Sequence, residues 1–189
     1  MEILKKRIID EGIIISDSII KVDSFLNHKI DPILMEEIAS EFCNRFSDKS
    51  FNKIVTVESS GIAPAVLTGL KLKIPVIFAK KAKPSTMGSF LTARVHSFTK
   101  DKDYNIFISD GLISKGDRVL IIDDFLAHGS ATRGLISIVE QCGAKVDGIG
   151  IIIEKGFQNG GSILRGLGYR IESLAIIEKI SQNEIRFKD

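Results

Sequence analysis

Fourteen residues, Val119 to Thr132 (VLIIDDFLAHGSAT), constrain this chain more than any other stretch. The aliphatic run Val119 to Ile122 is of the kind a parallel strand buried on both faces requires. Asp123 and Asp124 follow at once, and the small-residue turn Ala127-His128-Gly129-Ser130-Ala131 opens a helical pattern. In open parallel sheets ligands bind beyond the carboxyl ends of the strands, so the two acids are expected at the mouth of a crevice.

The residue types fit a sugar phosphate. Ionised carboxylates only accept hydrogen bonds, and the hydroxyls of a cis-diol can donate them. Gly129 lets the backbone approach a ligand closely, and Ser130 with the amides of Ala131 and Thr132 can cradle a phosphate at a helix start. Acids for a ribose and amides for its 5′-phosphate describe phosphoribosyl pyrophosphate (PRPP). On residues alone the stretch also suits a capped βα turn without a ligand. Four hydrophobics, two acids and a small phosphate loop resemble the PRPP motif of type I phosphoribosyltransferases. That resemblance implies Asp123 and Asp124 as catalytic residues on the ribose, Ala127, His128, Gly129, Ser130 and Ala131 as the PRPP loop, and Mg²⁺ brought in by the pyrophosphate. His128 departs from the asparagine frequent in this loop.

Elsewhere, strand-like and helix-like segments alternate. Pro32 to Phe46 is an amphipathic helix capped by Asp31, with Pro32 at its first position. Lys53 to Val57 reads as a core strand entering Glu58-Ser59-Ser60-Gly61-Ile62-Ala63-Pro64, a second anion turn in which Ser59, Ser60 and Gly61 could hold a pyrophosphate. Ile74 to Ala79 is the next strand, and of the lysines after it Lys81 is expected on the pyrophosphate. From Pro84 to Asp103 the pattern weakens, which suggests a hairpin lid over about residues 81–105 with Tyr104 to Ser109 as its second arm. Ser130 to Cys142 continues as a helix. Val146 to Ile153 is a further buried strand ending in Glu154-Lys155-Gly156-Phe157. A short helix, a strand over Ile171 to Ile177 and a tail expected to pair with the N-terminal segment complete the chain. This order predicts an α/β fold: an open, mainly parallel sheet flanked by helices.

The opening, with a helix over Met1 to Asp10 and a hairpin or a bent pair of strands over Ile13 to Val22, leads into KVDSFLNHKIDP. In context it is similar to the opening of bacterial xanthine phosphoribosyltransferases, where this segment folds over the site as a hood. By that resemblance Ile20, at a position where leucine is more usual, and Asn27 contact the purine, and Lys155 meets the base. The substrates it implies are xanthine and PRPP, the product xanthosine monophosphate, and the assembly a homodimer. Phe157 is either a stacking ring or a hydrophobic plug. Another purine as acceptor, or a non-catalytic sensor of PRPP, remains an alternative.

Length and charge narrow the rest. The 189 residues suit one domain, 1–189, with a hood mainly over 1–35 and the C-terminal tail. A net charge of +2 gives no argument for nucleic acid. Cys43 and Cys142 have no second thiol nearby, so neither a disulfide framework nor a CxxC metal site is suggested, and a reducing cytoplasm is expected. No segment reads as a secretion signal or a membrane span. There is no GxxxxGK[ST] loop, and Gly148-Ile149-Gly150 lies inside an apolar strand rather than a dinucleotide turn. His28, His96 and His128 lack metal-ligand spacing.

Overall fold

The computed structural model describes every residue except 84, 86, 87, 98–100, 182, 183 and 189. The parts of the expected lid at 84, 86, 87 and 98–100 therefore lie outside the described residues. Helix α1 (Glu2–Glu11), hairpin β1 (Ile13–Ser16) and β2 (Ile19–Lys21), and a wide helical turn over Asp23–Asn27 come first, followed by α2 (Pro32–Arg45). Asp31 caps α2 as expected: its carboxylate accepts from the amides of Ile33 and Leu34 at 3.1 and 3.2 Å.

A six-stranded sheet forms the centre, built from β3 (Lys53–Val57), β4 (Val76–Ala79), β7 (Arg118–Leu126), β8 (Lys145–Lys155), β9 (Ile171–Ser181) and β10 (Glu184–Phe187). Its order is β10-β9-β8-β7-β3-β4. All pairings are parallel except β10 with β9. The C-terminal tail thus joins the main sheet as an antiparallel edge, not the N-terminal hairpin as the sequence suggested. It still touches the N-terminal segment, with Lys5 Nζ 5.8 Å above the Phe187 ring. Helices α3 (Ile62–Leu72), α4 (Ser130–Gln141) and α5 (Gly160–Gly166) and a separate hairpin, β5 (Phe90–Ser97) with β6 (Lys102–Ser109), complete the fold.

Both faces of the central strands are covered, which is why they read as unbroken aliphatic runs. Alternate residues face opposite ways. Ile54, Leu120 and Ile122 pack with Leu34, Ile38 and Phe42 of α2 and with Ala65 of α3. Val55, Val119 and Ile121 pack with Leu135, Ile138 and Val139 of α4 and with Val95 and Ile106 of the β5–β6 hairpin. The hairpin approaches α4 at Gly134, where a Cβ would lie 2.7 Å from Val95 Cγ2.

Strand order fixes where a ligand can sit. From β3 the chain crosses to β4 on one side, and from β7 it crosses to β8 on the other, so the chain reverses its direction of winding between β3 and β7. A crevice opens at such a switch point beyond the carboxyl ends of the strands. Pairing of β3 with β7 reaches only Ile121, whereas β7 stays with β8 as far as Leu126 and Glu154. Asp123 and Asp124 stand just where β3 has left.

Candidate active site

The turn after β3 and the acids on β7 meet across this crevice. Gly61 is so close to β7 that a Cβ there would lie 3.3 Å from Asp123 Oδ1 and would overlap Thr56 Oγ1. Any other residue would push the Ser59-Ser60-Gly61 turn away from the acids. Lys81, at the end of the next strand, donates its backbone N–H to Glu58 Oε1 at 2.6 Å, which ties the strand end to this turn. Ser59 and Lys81 are exposed and Ser60 is half-buried.

Asp123 is 4% exposed and Asp124 half-buried. Burial pushes the Asp123 carboxyl well above the usual carboxylate range, the Asp124 charge adds to the rise, and the Asp124 backbone N–H and the Lys81 charge oppose it. That amide donates to Asp123 Oδ1 at 3.0 Å. Thr56 Oγ1, beneath Gly61, is buried without a hydrogen-bond partner among the described residues.

Beyond Leu126 the chain turns through Ala127 to Gly129, with Gly129 at φ 74°, and enters α4 at Ser130. Arg133 braces this loop from within the helix, donating to the His128 carbonyl at 2.9 Å. A cavity of about 380 Å³ opens here, with Ala127 to Thr132 on one side and Phe125 and Lys155 on another. Ser18 and Ile19 of the N-terminal hairpin and Val95, His96 and Tyr104 of the β5–β6 hairpin close it in. Burial raises the Tyr104 phenol, and the Asp123 charge raises it further, so this hairpin side chain sits within reach of the acid's field.

Lys155 ends β8 inside the cavity. Its ammonium donates to the Ser18 carbonyl at 2.8 Å and lies 5.7 Å above the Phe125 ring. Burial alone lowers its pKa. Behind it, Glu154 is held by Arg165 through two hydrogen bonds of 2.7 Å and by the Ser173 hydroxyl, which anchors the end of β8 to α5 and β9.

Of the residues singled out in the sequence, Ala127, His128, Gly129, Ser130, Ala131 and Lys155 share this cavity. Asp123 and Gly61 meet each other at the adjoining crevice. Ile20 and Asn27 do not line the cavity: Ile20 is 6% exposed within the core, and the neighbouring Ser18 and Ile19 take its place. The reason is the alternation of a strand, which turns Ile19 outward when Ile20 turns in. Asn27, in the turn over Asp23–Asn27, keeps a buried Oδ1 without a partner among the described residues. Phe157 is 39% exposed and outside the cavity wall. Phe125 lines the cavity, and its place two residues after Asp123, on the same face of the strand, was the signal for it. Gln158 and Tyr104 also line the cavity and had no such signal in the sequence.

Comparison with known proteins agrees with this geometry. The phosphoribosyl transferase domain family matches residues 21–160. The xanthine phosphoribosyltransferase of Oceanobacillus iheyensis is 52% identical over 100% of this chain and 98% of its own. That of Stutzerimonas stutzeri is 53% identical over 100% of both. Among solved structures, adenine phosphoribosyltransferase from Rhodothermus marinus superposes with a TM-score of 0.76 at 21% identity, covering 93% of this chain and 97% of that one. At that identity the likeness speaks for the fold.

Proposed function

Because this chain belongs to the phosphoribosyl transferase domain family, we propose that it is a xanthine phosphoribosyltransferase of purine salvage. It transfers the 5-phosphoribosyl group of PRPP to xanthine, giving xanthosine 5′-monophosphate and pyrophosphate. One observation carries the assignment of ends: the phosphate-loop residues 127–132 and the cation Lys155 line the same cavity, so a nucleotide fits with its 5′-phosphate on the loop and its base at Lys155. Relatives named for xanthine support the choice of base.

In this reading a ring nitrogen of the base attacks C1 of the sugar as the bond from C1 to the pyrophosphate oxygen breaks, and the N–H proton of the base's five-membered ring is given up to the departing pyrophosphate. Asp123 and Asp124 hold the ribose hydroxyls and stabilise the positive charge that develops on the ring. Ser59, Ser60, Gly61 and Lys81 bind the leaving pyrophosphate. Mg²⁺ suits oxygen donors and binds through one or two carboxylates with substrate phosphates, a set that Asp123 and Asp124 beside the Ser59-to-Gly61 turn fit. When bound it neutralises charge on the pyrophosphate. The N-terminal segment acts as hood, the β5–β6 hairpin as lid, and the two exclude water that would compete for the activated sugar.

A homodimer of one-domain chains accords with the exposed apolar side chains Val66 and Leu70 on α3 and Phe78 on β4, 48%, 72% and 40% exposed, on the flank that carries the pyrophosphate turn. A cytoplasmic setting accords with the free thiols of Cys43 and Cys142. Among the described residues no helix is long and apolar enough to cross a membrane. The deciding experiment is pyrophosphate release from PRPP against a panel of free purines. Xanthine is expected to be the best acceptor, and release with none of the bases would overturn the assignment.

A further inference from the structure

Every arginine of the chain but Arg133 stands in an ion pair with a carboxylate. Arg133 is half-buried, and among the described residues no carboxylate lies within ion-pair distance of it. It belongs to the first turn of α4, where the helix dipole disfavours a cation, and a guanidinium cannot shed its charge. The counter-charge must come from outside the chain. Arg133 lies against the back of the loop over residues 127–132: Nη1 donates to the His128 carbonyl at 2.9 Å and Nη2 to the Ser130 hydroxyl oxygen at 3.4 Å. A Cβ on Gly129 would lie 3.5 Å from Nη1, so the guanidinium is laid on the turn itself. Ser130 is shared between the nucleotide cavity and a neighbouring one that Arg133 lines, and Asp103, the acid of that second cavity, is held by Arg94 and His96 instead. Because a guanidinium only donates, the Ser130 oxygen accepts from it and keeps its own hydrogen for a ligand.

We propose that Arg133 is a positioning residue for the 5′-phosphate: it holds the loop by the His128 carbonyl, leaves the Ser130 hydroxyl to donate to the phosphate, and places a fixed positive charge behind it. The proposal rests on the loop taking the 5′-phosphate of PRPP and of the product nucleotide, as in the function proposed above. The bound phosphate then supplies the charge that Arg133 lacks within the protein. The base lies at the other end of the cavity, by Lys155, so the loss of Arg133 acts on the phosphate end alone.

The test compares binding of xanthosine 5′-monophosphate with that of xanthosine, which lacks only the phosphate, in the full-length wild type, Arg133→Met and Arg133→Lys. Methionine keeps much of the stem and removes the charge, whereas lysine keeps the charge. We expect Arg133→Met to bind the nucleotide about tenfold more weakly, the order set by a charge a few ångströms from a phosphate at a protein surface, and the nucleoside as before. Arg133→Lys should recover part of the loss. Equal losses on nucleotide and nucleoside, or no loss on the nucleotide, overturn the role. Phosphorus NMR of the bound nucleotide gives a second reading, since a nearby cation favours the dianion and lowers the second pKa of the phosphate. That pKa should lie below its free value in the wild type and return toward it in Arg133→Met. A bound phosphate that titrates in the wild type as it does in free solution overturns the proposal whether or not either variant folds. A wild type that binds neither PRPP nor the nucleotide overturns instead the function on which the proposal rests.

Discussion

The backbone N–H of Gly160 donates to the carbonyl of Ala127 at 3.0 Å, joining the start of α5 to the loop that follows β7. His128 Nδ1 and Asn159 Oδ1 lie 3.3 Å apart beside this bond. The turn over residues 155–159, which carries Lys155, and the loop over 127–131 are therefore one connected body. In the function proposed here, base and 5′-phosphate bind to the two halves of it, and a displacement of either half is felt by the other.

Gly160 allows that closeness because it has no side chain. A Cβ there would overlap the Ala127 carbonyl oxygen and come within 2.6 Å of the Gly129 nitrogen and 2.7 Å of the His128 carbonyl carbon, all of them backbone. Gly160→Ala is expected to force the loop off α5, at an overpacking cost of about 1–3 kcal/mol. That lowers Tm by roughly 2–4 °C per kcal/mol in a chain of this length. The KM for PRPP should rise more than that for the base. Calorimetric melting together with steady-state kinetics checks this, and an unaltered KM for PRPP would refute it.

Asp123→Asn should change activity and stability in opposite directions. Burial, reinforced by Asp124, holds the Asp123 pKa above its ordinary value, so the folded state binds this proton more tightly than the unfolded chain does. Folding stability is therefore lost as pH rises from the ordinary aspartate value through the raised one. Asparagine carries no such charge, and the variant should melt higher than wild type at neutral pH. Its kcat/KM should drop at least about a hundredfold, as a charge facing the developing sugar cation is gone. A variant that melts lower at neutral pH would contradict the linkage, and one of normal activity would contradict the catalytic role.

How far the sequence exposed this site depends on the range of the interaction involved. The strand, acids and turn of residues 119–132 were legible because each is a local signal, and the crevice followed from chain order. Phe125 was missed because the aliphatic run stops at Ile122, while β7 itself continues to Leu126 through its pairing with β8. Ile20 was expected at the base and Ser18 and Ile19 line the cavity, a shift within one short hairpin whose pairing is irregular between Ile14 and Ser16. The tail was expected on the N-terminal segment and pairs with β9 instead, since apolar alternation specifies a face and not a neighbour.

Glu154 offers a check on the anchoring of the base turn. Burial pushes its pKa up, but the hydrogen bonds from Arg165 and Ser173 outweigh burial and leave it below the ordinary glutamate value of 4.5. A depressed carboxylate stabilises the fold above its unfolded pKa, and that contribution is lost as pH falls through the folded value. Wild type should therefore lose stability on acidification below about pH 4.5, and Glu154→Gln should lose less over that interval. At neutral pH the variant leaves Arg165 without its carboxylate, with an expected cost of about 3–5 kcal/mol, reduced because Arg165 is 40% exposed. Urea unfolding of both proteins across the acid range measures the two effects, and parallel pH curves would show that Glu154 does not carry them.

Lys155 should discriminate xanthine from hypoxanthine. Its pKa is lowered by burial alone, so the protein provides a desolvated cation with a backbone carbonyl, Ser18, as hydrogen-bond partner. Xanthine carries an additional oxo group and is the more acidic of the two bases, so an anionic xanthine supplies the counter-charge and hypoxanthine does not. A hydrogen bond to a charged group is worth about 1.5–3 kcal/mol, which at 1.4 kcal/mol per decade is roughly tenfold to a hundredfold in preference. Lys155→Met keeps most of the apolar stem against Phe125 and removes the charge, so Tm should change little. We expect kcat/KM for xanthine to fall by that factor and kcat/KM for hypoxanthine to fall far less. Equal losses on the two bases would mean that Lys155 holds the Ser18 turn in place without reading the base.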